Sequence, residues 1–586
     1  MPTQLGKPRG RRRQVGIEEQ RRNRGTDANE GAGHLGDRTG DPAVVEGALR
    51  ALDINPNAVA ERRNELGLGH DEILGAVPLA GAPGCRPLPS MAVLTKDAPV
   101  ENTLDRPSPG AAVLHRRVAI ALVVVAGLVV RWWLSSTRFG YVNDDEAMSA
   151  VSAFDVLHGH PHLVIGASNY GGTLEALILA PLLKLFGAHV WLLRVVATAT
   201  FATAVVVVGS SAKQLFDRRV SWVAGGLLWL ASAAMVLISM TVYLGYNTGL
   251  FFTALALSLC MRVAKGEQPR RLFFAAGVSA GLAIWGHPLY IVPLLPAMLA
   301  LMWLRRAELR FWFLALAGGS LVGLSPFLAW NAMNRWASIL HNPAPIKATT
   351  YTERLQIVFA QLLPRAFGLR GEQGDWLYPR RLGMIAMIVL LIAIHAGLIV
   401  LARRSRAGVV AAASGLLAIP FVAAFPALFW YADARYAVVL MVPWMLGLTV
   451  WVELLVRRRR AASVWAAAIV LLFGLASTGK WIKRHARTQV DANAASVQIV
   501  KALDARGIQG VAGRYWIVYR VAFFSNDRIA AHVPPAMGEG DDRSMRSANQ
   551  VLALPASKVA YMGWLPDGKT GYTKENVGGV DIYFPS

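Results

Sequence analysis

Between Val118 and Thr478 the chain is built of apolar runs, each about 15–24 residues long, separated by short polar breaks. An α-helix needs about 20 such residues to cross a hydrocarbon core of roughly 30 Å. In lipid, every backbone polar group must be satisfied internally, so only helices and closed barrels span. Barrel strands alternate apolar and polar positions, whereas these runs are continuous, which excludes a barrel. Charged residues make up 17% of the 586 and hydrophobic ones 54%, too little charge for an ordinary soluble protein of this length. The pattern predicts a polytopic α-helical membrane protein.

Twelve candidate spans can be read: 118–134, 173–187, 191–211, 220–240, 246–263, 272–287, 289–304, 311–331, 382–402, 408–430, 436–456 and 461–479. His115, Arg116 and Arg117 precede the first and place its start in the cytoplasm, because short cytoplasmic loops collect Lys and Arg. Residues 135–172 then form the first extracytoplasmic loop. The basic turning points Arg262–Arg271, Arg305–Arg310, Arg403–Arg406 and Arg457–Arg460 all belong inside by the same rule. Twelve crossings would bring the C-terminus back inside, yet Arg457–Arg460 before the last span send it outside. The conflict is removed if 173–187, which carries Glu175 and Lys184, lies in the interface without crossing. The expectation is 11–13 spans.

Residues 1–112 are rich in Gly, Arg, Pro and Asp and are expected to form a disordered cytoplasmic tail, with short helices at most near 43–76. Met91 stands as an alternative start, and the first long apolar run serves as an uncleaved signal anchor. Residues 113–481 form the membrane domain. Its 332–381 loop holds an amphipathic stretch, Thr352–Phe367, suited to lying on the membrane surface. Residues 482–586 read as a small extracytoplasmic α/β domain. It has helical spacing at Val497, Val500 and Leu503 and strand-prone runs at 510–515, 529–533, 558–562 and 580–584. The net charge of +23 lies in the tail and the short loops, which favours positive-inside topology over a nucleic-acid partner. The two cysteines, Cys85 and Cys260, build neither a disulfide framework nor a zinc site.

The chemistry-bearing residues cluster in breaks between spans. Asp144, Asp145 and Glu146 follow the first span, and carboxylates beside a bilayer are costly unless solvated, paired or functional. One reading is a helix start, with Asn143 as N-cap, Glu146 completing a capping box and the aspartates at the positive end of the helix dipole. The other is a general base for an acceptor hydroxyl, with a neighbouring acid orienting it or helping to hold a divalent cation. The segment Asn169–Glu175 carries Tyr170 and paired glycines, either a turn capped by Thr173 or a substrate-facing turn. His158, His160 and His162 lie between, as solvated loop residues or metal ligands. His287 sits in a Pro-forced break between two spans. In Tyr431–Tyr436, Arg435 stands on the outward side, against the basic bias, and requires Asp433 or an anionic ligand as partner.

In this order and spacing, the landmarks resemble the GT-C superfamily of membrane glycosyltransferases, nearest the protein O-mannosyltransferases and the lipid A aminoarabinose transferase. The resemblance covers about 113–480, and 482–586 is similar to the C-terminal domains of some bacterial members. The matching pieces are Asp145-Glu146 in the first outer loop, Leu185-Phe186-Gly187, Arg194, and Arg435-Tyr436 before a span containing Pro443. The chain departs from the family in having Tyr170-Gly171-Gly172-Thr173 where many relatives have Pro-Pro-Leu.

The resemblance implies inverting transfer of a hexosyl or pentosyl unit from a polyprenyl-phosphate donor to a hydroxyl on a glycan, lipid or protein, at the outer face of the plasma membrane. Asp145 would be the base, supported by Glu146 and Asp144. Arg435 and Tyr436 would meet the donor phosphate, and Tyr170 and His287 the substrate. The resemblance fixes no cofactor and leaves room for a divalent cation, over which relatives differ. The competing classes are a transporter or lipid flippase, which would place broken helices and repeats at the bilayer midplane, and a scaffold that keeps the fold without catalysis.

Overall fold

The computed structural model describes residues 109–165, 170–230, 232–243, 245–267, 270–340, 350–371, 374–425, 433–459, 461–485, 491–535 and 542–586. The expected tail up to residue 108, with Met91 and Cys85, lies outside them, as does Asn169. Residues 109–112, expected to end the tail, already form the first turn of a helix.

In chain order the helices of the membrane region are α1 (Pro109–Ser135), α2 (Asp144–Leu157), α3 (Leu174–Phe186), α4 (Val190–Ser211), α5 (Trp222–Leu230) and α6 (Ala233–Ile238). They continue with α7 (Tyr246–Ala264), α8 (Arg270–Gly286), α9 (Ile291–Leu304), α10 (Leu309–Met333), α11 (Tyr351–Ile357), α12 (Arg380–Arg404), α13 (Arg406–Leu416), α14 (Ala418–Ala424), α15 (Val438–Val456) and α16 (Ala462–His485). Among the described residues eight helical stretches are long and apolar enough to cross a membrane: α1, α4, α7, α10, α12, α13 with α14, α15 and α16.

The other four expected spans are shorter, each for a local reason. The 173–187 segment gives only the 13 residues of α3, with Pro181 inside. The 220–240 segment is split into α5 and α6, the latter N-capped by Ser232. α8 has 17 residues, about 25 Å at ~1.5 Å per residue and the lower limit for a crossing. Pro288 separates it from α9 through a short 3₁₀ turn. Counting α5 with α6, α8 and α9 beside the eight gives eleven, with α3 the segment that falls short.

α8 and α10 pack backbone to backbone. A Cβ on Gly277 would stand 2.2 Å from the Leu316 carbonyl oxygen, and one on Gly319 2.1 Å from that of Phe274. Gly281 and Gly323 repeat the arrangement one turn on, so each helix presents a small-xxx-small face to the other. The basic turns gather at one end of the bundle, where Arg219, Arg404 and Arg457 line a cavity with Asp217 and Glu453. The acidic triplet lies at the other end, a full length of α15 away from Arg457.

After α16 come α17 (Ala494–Ala505), β1 (Gly510–Gly513), α18 (Tyr515–Phe524), β2 (Ala530–His532), α19 (Met545–Ala553), β3 (Val559–Met562), β4 (Tyr572–Val577) and β5 (Val580–Pro585). The sheet order is β2-β1-β3-β5-β4, with β1 parallel to both neighbours and β3, β5 and β4 antiparallel. All four strand-prone runs contain strands. β4 and the two helices α18 and α19 were not read from the sequence. The sheet domain shares an apolar core with α2, α3 and the start of α4: Val151, Leu179 and Leu193 belong to the same cluster as Val518 and Phe523.

Candidate active site at the first loop

Asn143 caps α2, its Oδ1 accepting from the Glu146 N–H at 2.8 Å. The reciprocal half of a capping box does not form, because the Glu146 side chain is engaged elsewhere. Its Oε1 accepts from Arg194 of α4 and from the Val242 N–H. The same guanidinium donates to the carbonyls of Met240, Gly140 and Tyr141 at 2.8, 3.1 and 3.1 Å. Glu146 is fully buried, so this pair ties α2, α4 and the 240–242 turn into one block.

Asp145, one residue earlier, faces a different set. Its Oδ2 accepts from Arg435 Nη1 at 2.9 Å and its Oδ1 from the Tyr515 hydroxyl at 2.8 Å. Arg543 lies over the Tyr515 ring, 4.5 Å from its centre. Burial raises the Asp145 pKa, but Arg435, then Arg543 and the Tyr515 hydrogen bond outweigh it and hold the carboxyl below its ordinary range. Asp144 is held by Arg520 at 3.1 Å. Here burial dominates, with the Asp145 charge adding to it against the pull of Arg520, and the pKa rises to about 7. Two adjacent aspartates thus acquire opposite shifts.

Arg435 meets Asp433, one of its two expected partners, as well as Asp145. Its Nε lies 2.8 Å from Asp433 Oδ2, and the Asp433 side chain also accepts from the Arg435 backbone N–H at 2.9 Å. Its guanidinium sits among the rings of Tyr243, Tyr436 and Tyr246, at 5.1, 5.5 and 5.9 Å. Tyr436 meets Tyr246 edge-on at 6.1 Å, Tyr246 lies 4.6 Å from the His287 ring, and His287 lies 5.2 Å from Tyr170. Tyr170, His287, Tyr436 and Arg435 are therefore one continuous group. His287 is buried, its Nδ1 accepting from the Leu289 N–H at 3.3 Å. The glycine turn after Tyr170 is fastened to the end of α8. The Gly172 N–H donates to the Gly286 carbonyl at 3.0 Å, and a Cβ on Gly172 would come within 2.7 Å of the Trp285 carbonyl oxygen. Thr173 stands at the N-cap position of α3, but its hydroxyl makes no capping hydrogen bond and donates instead to the His162 carbonyl.

A cavity of about 330 Å³ opens beside Arg435, lined by Tyr243, Arg365, Arg370, Asp433, Arg435 and Trp481 among others. Arg435 stands between this cavity and Asp145. Asp144, Glu146 and His287 do not line it.

The residues do not form a cage for a divalent cation. Each carboxylate of the triplet is taken by an arginine, and among the described residues no three His, Cys, Asp or Glu side chains gather around one point. His162 faces Asp155 at 3.3 Å and His158 faces Asp527 at 3.6 Å, two separate contacts at the junction with the sheet domain. Sequence reasoning missed Tyr515, Arg520 and Arg543. Arg520 carried a signal, as the one charged residue within the apolar helix YWIVYRVAFF.

The profile of the Dolichyl-phosphate-mannose-protein mannosyltransferase family matches residues 173–330, just after the acidic triplet. No curated protein sequence matches the chain. Among solved structures it is similar to ArnT from Cupriavidus metallidurans bound to undecaprenyl phosphate, with a TM-score of 0.54 at 14% identity, covering 79% of this chain and 97% of that one. The apo form of the same protein gives 0.52 at 12% identity over the same shares. The architecture is GT-C-like, the fold of these structures, and within it residues 173–330 match the mannosyltransferase family's profile.

Proposed function

We propose that this GT-C chain is an inverting glycosyltransferase that moves a sugar from a polyprenyl-phosphate donor to a hydroxyl acceptor at the outer face of the plasma membrane. The observation that carries the reading is the 2.9 Å contact between Asp145 and Arg435, 290 positions apart, beside a cavity lined by arginines. A carboxylate and a guanidinium held together provide the two groups that such a displacement needs. One accepts a proton from the attacking hydroxyl, and the other stabilises the charge growing on the leaving phosphate. The undecaprenyl phosphate carried by the similar ArnT structure supports a lipid-phosphate donor.

Asp145 is the general base in this scheme. A donor phosphate beside Arg435 draws part of the guanidinium away and frees a carboxylate oxygen for the acceptor. The acceptor oxygen attacks the anomeric carbon from the side opposite the phosphate. The carbon–oxygen bond to phosphate breaks, its electron pair leaves with the phosphate, and the hydroxyl proton passes to Asp145. Attack from the opposite side inverts the anomeric centre. Glu146 is a positioning residue through Arg194, and Asp144 with Arg520 flanks the base. Tyr436, His287 and Tyr170 do not line the cavity; as one ring group packed beside Arg435 they hold it in place, and in this reading Tyr170 and His287 meet the substrate from that side. The basic end with Arg219, Arg404 and Arg457 is cytoplasmic by the positive-inside rule. That puts the triplet and the C-terminal sheet outside and the N-terminus inside.

The test is turnover by the purified full chain in lipid, supplied with a panel of hexosyl and pentosyl polyprenyl phosphates. Asp145→Asn keeps the shape and much of the hydrogen bonding but cannot take up the proton. Expression should stay near normal while turnover falls by roughly 10²–10⁴. Full activity in Asp145→Asn, Asp144→Asn and Glu146→Gln alike would sink the transferase mechanism.

A further inference from the structure

A cavity of about 1020 Å³ runs along the side of the bundle between α1 and α4, with α5 as its floor. One face of each wall helix lines it: Ile120, Val124 and Leu128 from α1, and Val195, Ala202 and Val206 from α4. The floor is low because α5 packs tightly on α4, where a Cβ on Gly225 would stand 2.6 Å from the Val205 carbonyl oxygen. Val124, Leu128, Val195 and Val206 are all exposed. The groove therefore opens sideways, toward the hydrocarbon that surrounds a membrane-spanning bundle.

The two ends of the groove differ in what their cations do. At the end near the acidic triplet the arginines are committed to the protein. Arg194 holds Glu146. Arg131, buried in α1, donates to the Ser239 hydroxyl at 2.8 Å and to the carbonyls of Gly127 and Trp229 at 2.9 and 3.0 Å. At the basic end Arg116 of α1, Lys213 just past α4 and Arg218 of the turn before α5 converge on the groove, three cations from three elements. The acid of that turn faces away. Asp217 accepts from the Arg219 N–H at 2.8 Å and lines the separate cavity with Arg404 and Glu453.

Length and chemistry together select the occupant. Val195 and Lys213 stand 18 positions apart, about 27 Å at ~1.5 Å per residue. One leaflet is about half of the roughly 30 Å hydrocarbon core. A chain held by its head at the basic end thus lies wholly between apolar walls. An apolar peptide would suit those walls but bring nothing to the three cations. A soluble anion would suit the cations but leave the walls bare. A phospholipid with an anionic headgroup matches both, and basic pockets between membrane helices are where such headgroups bind.

We propose that this groove holds one diacyl phospholipid of the leaflet at the basic end. Arg116, Lys213 and Arg218 seat its anionic headgroup, and its chains lie between α1 and α4 on the glycines of α5. The lipid fills the space that the two wall helices leave open and fastens α1 to α4. The proposal is independent of the transferase reading, since the groove and the catalytic candidates Asp145 and Arg435 share no lining residue.

The full chain is stripped of its native lipid by detergent exchange and titrated with phosphatidylglycerol or phosphatidylcholine, and bound lipid is counted by native mass spectrometry. One phosphatidylglycerol should be retained and phosphatidylcholine lost. Arg116→Gln, Lys213→Gln and Arg218→Gln together should weaken retention on the order of 100-fold, about fivefold for each basic residue near a membrane surface. The single variants carry the test if the triple variant does not fold. Gly209→Phe keeps every cation but lays a ring in the groove, at a place where a Cβ meets nothing closer than Trp222 Cα at 3.6 Å. It should abolish the retained lipid. Arg404→Gln, in the neighbouring cavity, should leave retention unchanged. Equal retention of phosphatidylcholine, or wild-type affinity in the folded triple variant, would reduce the groove to ordinary lipid contact and overturn the proposal. So would an equal loss in Arg404→Gln, which would assign the effect to bulk surface charge. Retention of no lipid at all, as in a groove closed by the chain's own N-terminal residues, would overturn it too. Polyprenyl phosphate displacing phosphatidylglycerol completely at equal concentration would overturn the choice of occupant.

Discussion

The two ends of the helical bundle use arginine in opposite ways. At the basic end Arg404 pairs with Glu453 at 2.5 Å and Arg262 with Glu267 at 2.7 Å, with side chains 18–44% exposed. At the acidic end Glu146 is fully buried against Arg194, and Asp145 is 9% exposed where it meets Arg435. Exposed pairs contribute little, with a median of about 0–1 kcal/mol, because water already solvates both charges. Buried pairs cost much to desolvate and are strongly destabilising when half broken. The basic end is therefore tolerant of losing a charge. The acidic end is intolerant, and its charges fix where Asp145 and Arg435 stand.

The largest effect should come from breaking the buried pair. Arg194→Met leaves Glu146 buried with only the Val242 N–H as partner and strands the Met240 and Tyr141 carbonyls, while that of Gly140 keeps the Asn493 amide. The expected loss is about 3–5 kcal/mol of stability, read by thermal unfolding in detergent or as loss of folded protein. The double variant Glu146→Gln with Arg194→Met should recover part of that loss, since no uncompensated charge remains buried. A single variant as stable as wild type would mean that Glu146 is protonated or hydrated, and the contrast between the two ends would vanish.

Much of this contrast was legible in the sequence. Apolar length identified the long spans, basic turns identified one end, and isolated acids identified the other. Asp433 and Arg435 are close in sequence, so their pairing could be read directly. Span count was less legible, because apolar composition cannot see the break at Ser232 or the shortness of α3. The Thr352–Phe367 stretch misled for a related reason: an apolar face at Val358, Leu362 and Leu363 suits lipid and protein interior equally. Arg520 stood out as a charge within an apolar helix, but where it and Tyr515 would land was out of reach. They come from a domain some 370 positions away, and no local pattern states which helix start a soluble domain will cover.

A pH profile of turnover sharpens the acidic end itself, because the two aspartates are shifted in opposite directions. A base works only when deprotonated, so the rate rises with pH through its pKa and is flat above it. Asp145 lies below the ordinary carboxylate range, so a reaction based on it should be flat from about pH 5 to 8. Asp144 titrates at about 7, so a reaction based on it should lose about tenfold per unit as pH falls below 7. Single-turnover rates in lipid at fixed donor saturation distinguish the two. A limb near 7 that disappears in Asp144→Asn would move the base one residue toward the N-terminus.

The smallest effect should come from Arg404→Gln at the basic end. Its partner Glu453 keeps Arg219 and Arg457 around the same cavity, so no carboxylate is left without compensating charge. The Arg404 side chain is 34% exposed, and water can replace part of what it gives. Any orientation set by the basic turns should also hold, since Arg403 and Arg406 keep that turn basic. The expected change in stability is within about 1 kcal/mol and should shrink further in high salt, which screens exposed pairs and scarcely touches buried ones. Running Arg404→Gln and Arg194→Met in the same melt series makes the difference itself the measurement. A comparable loss in both, insensitive to salt, would show the basic end to be as dry as the acidic one, and its cavity would then require a ligand of its own.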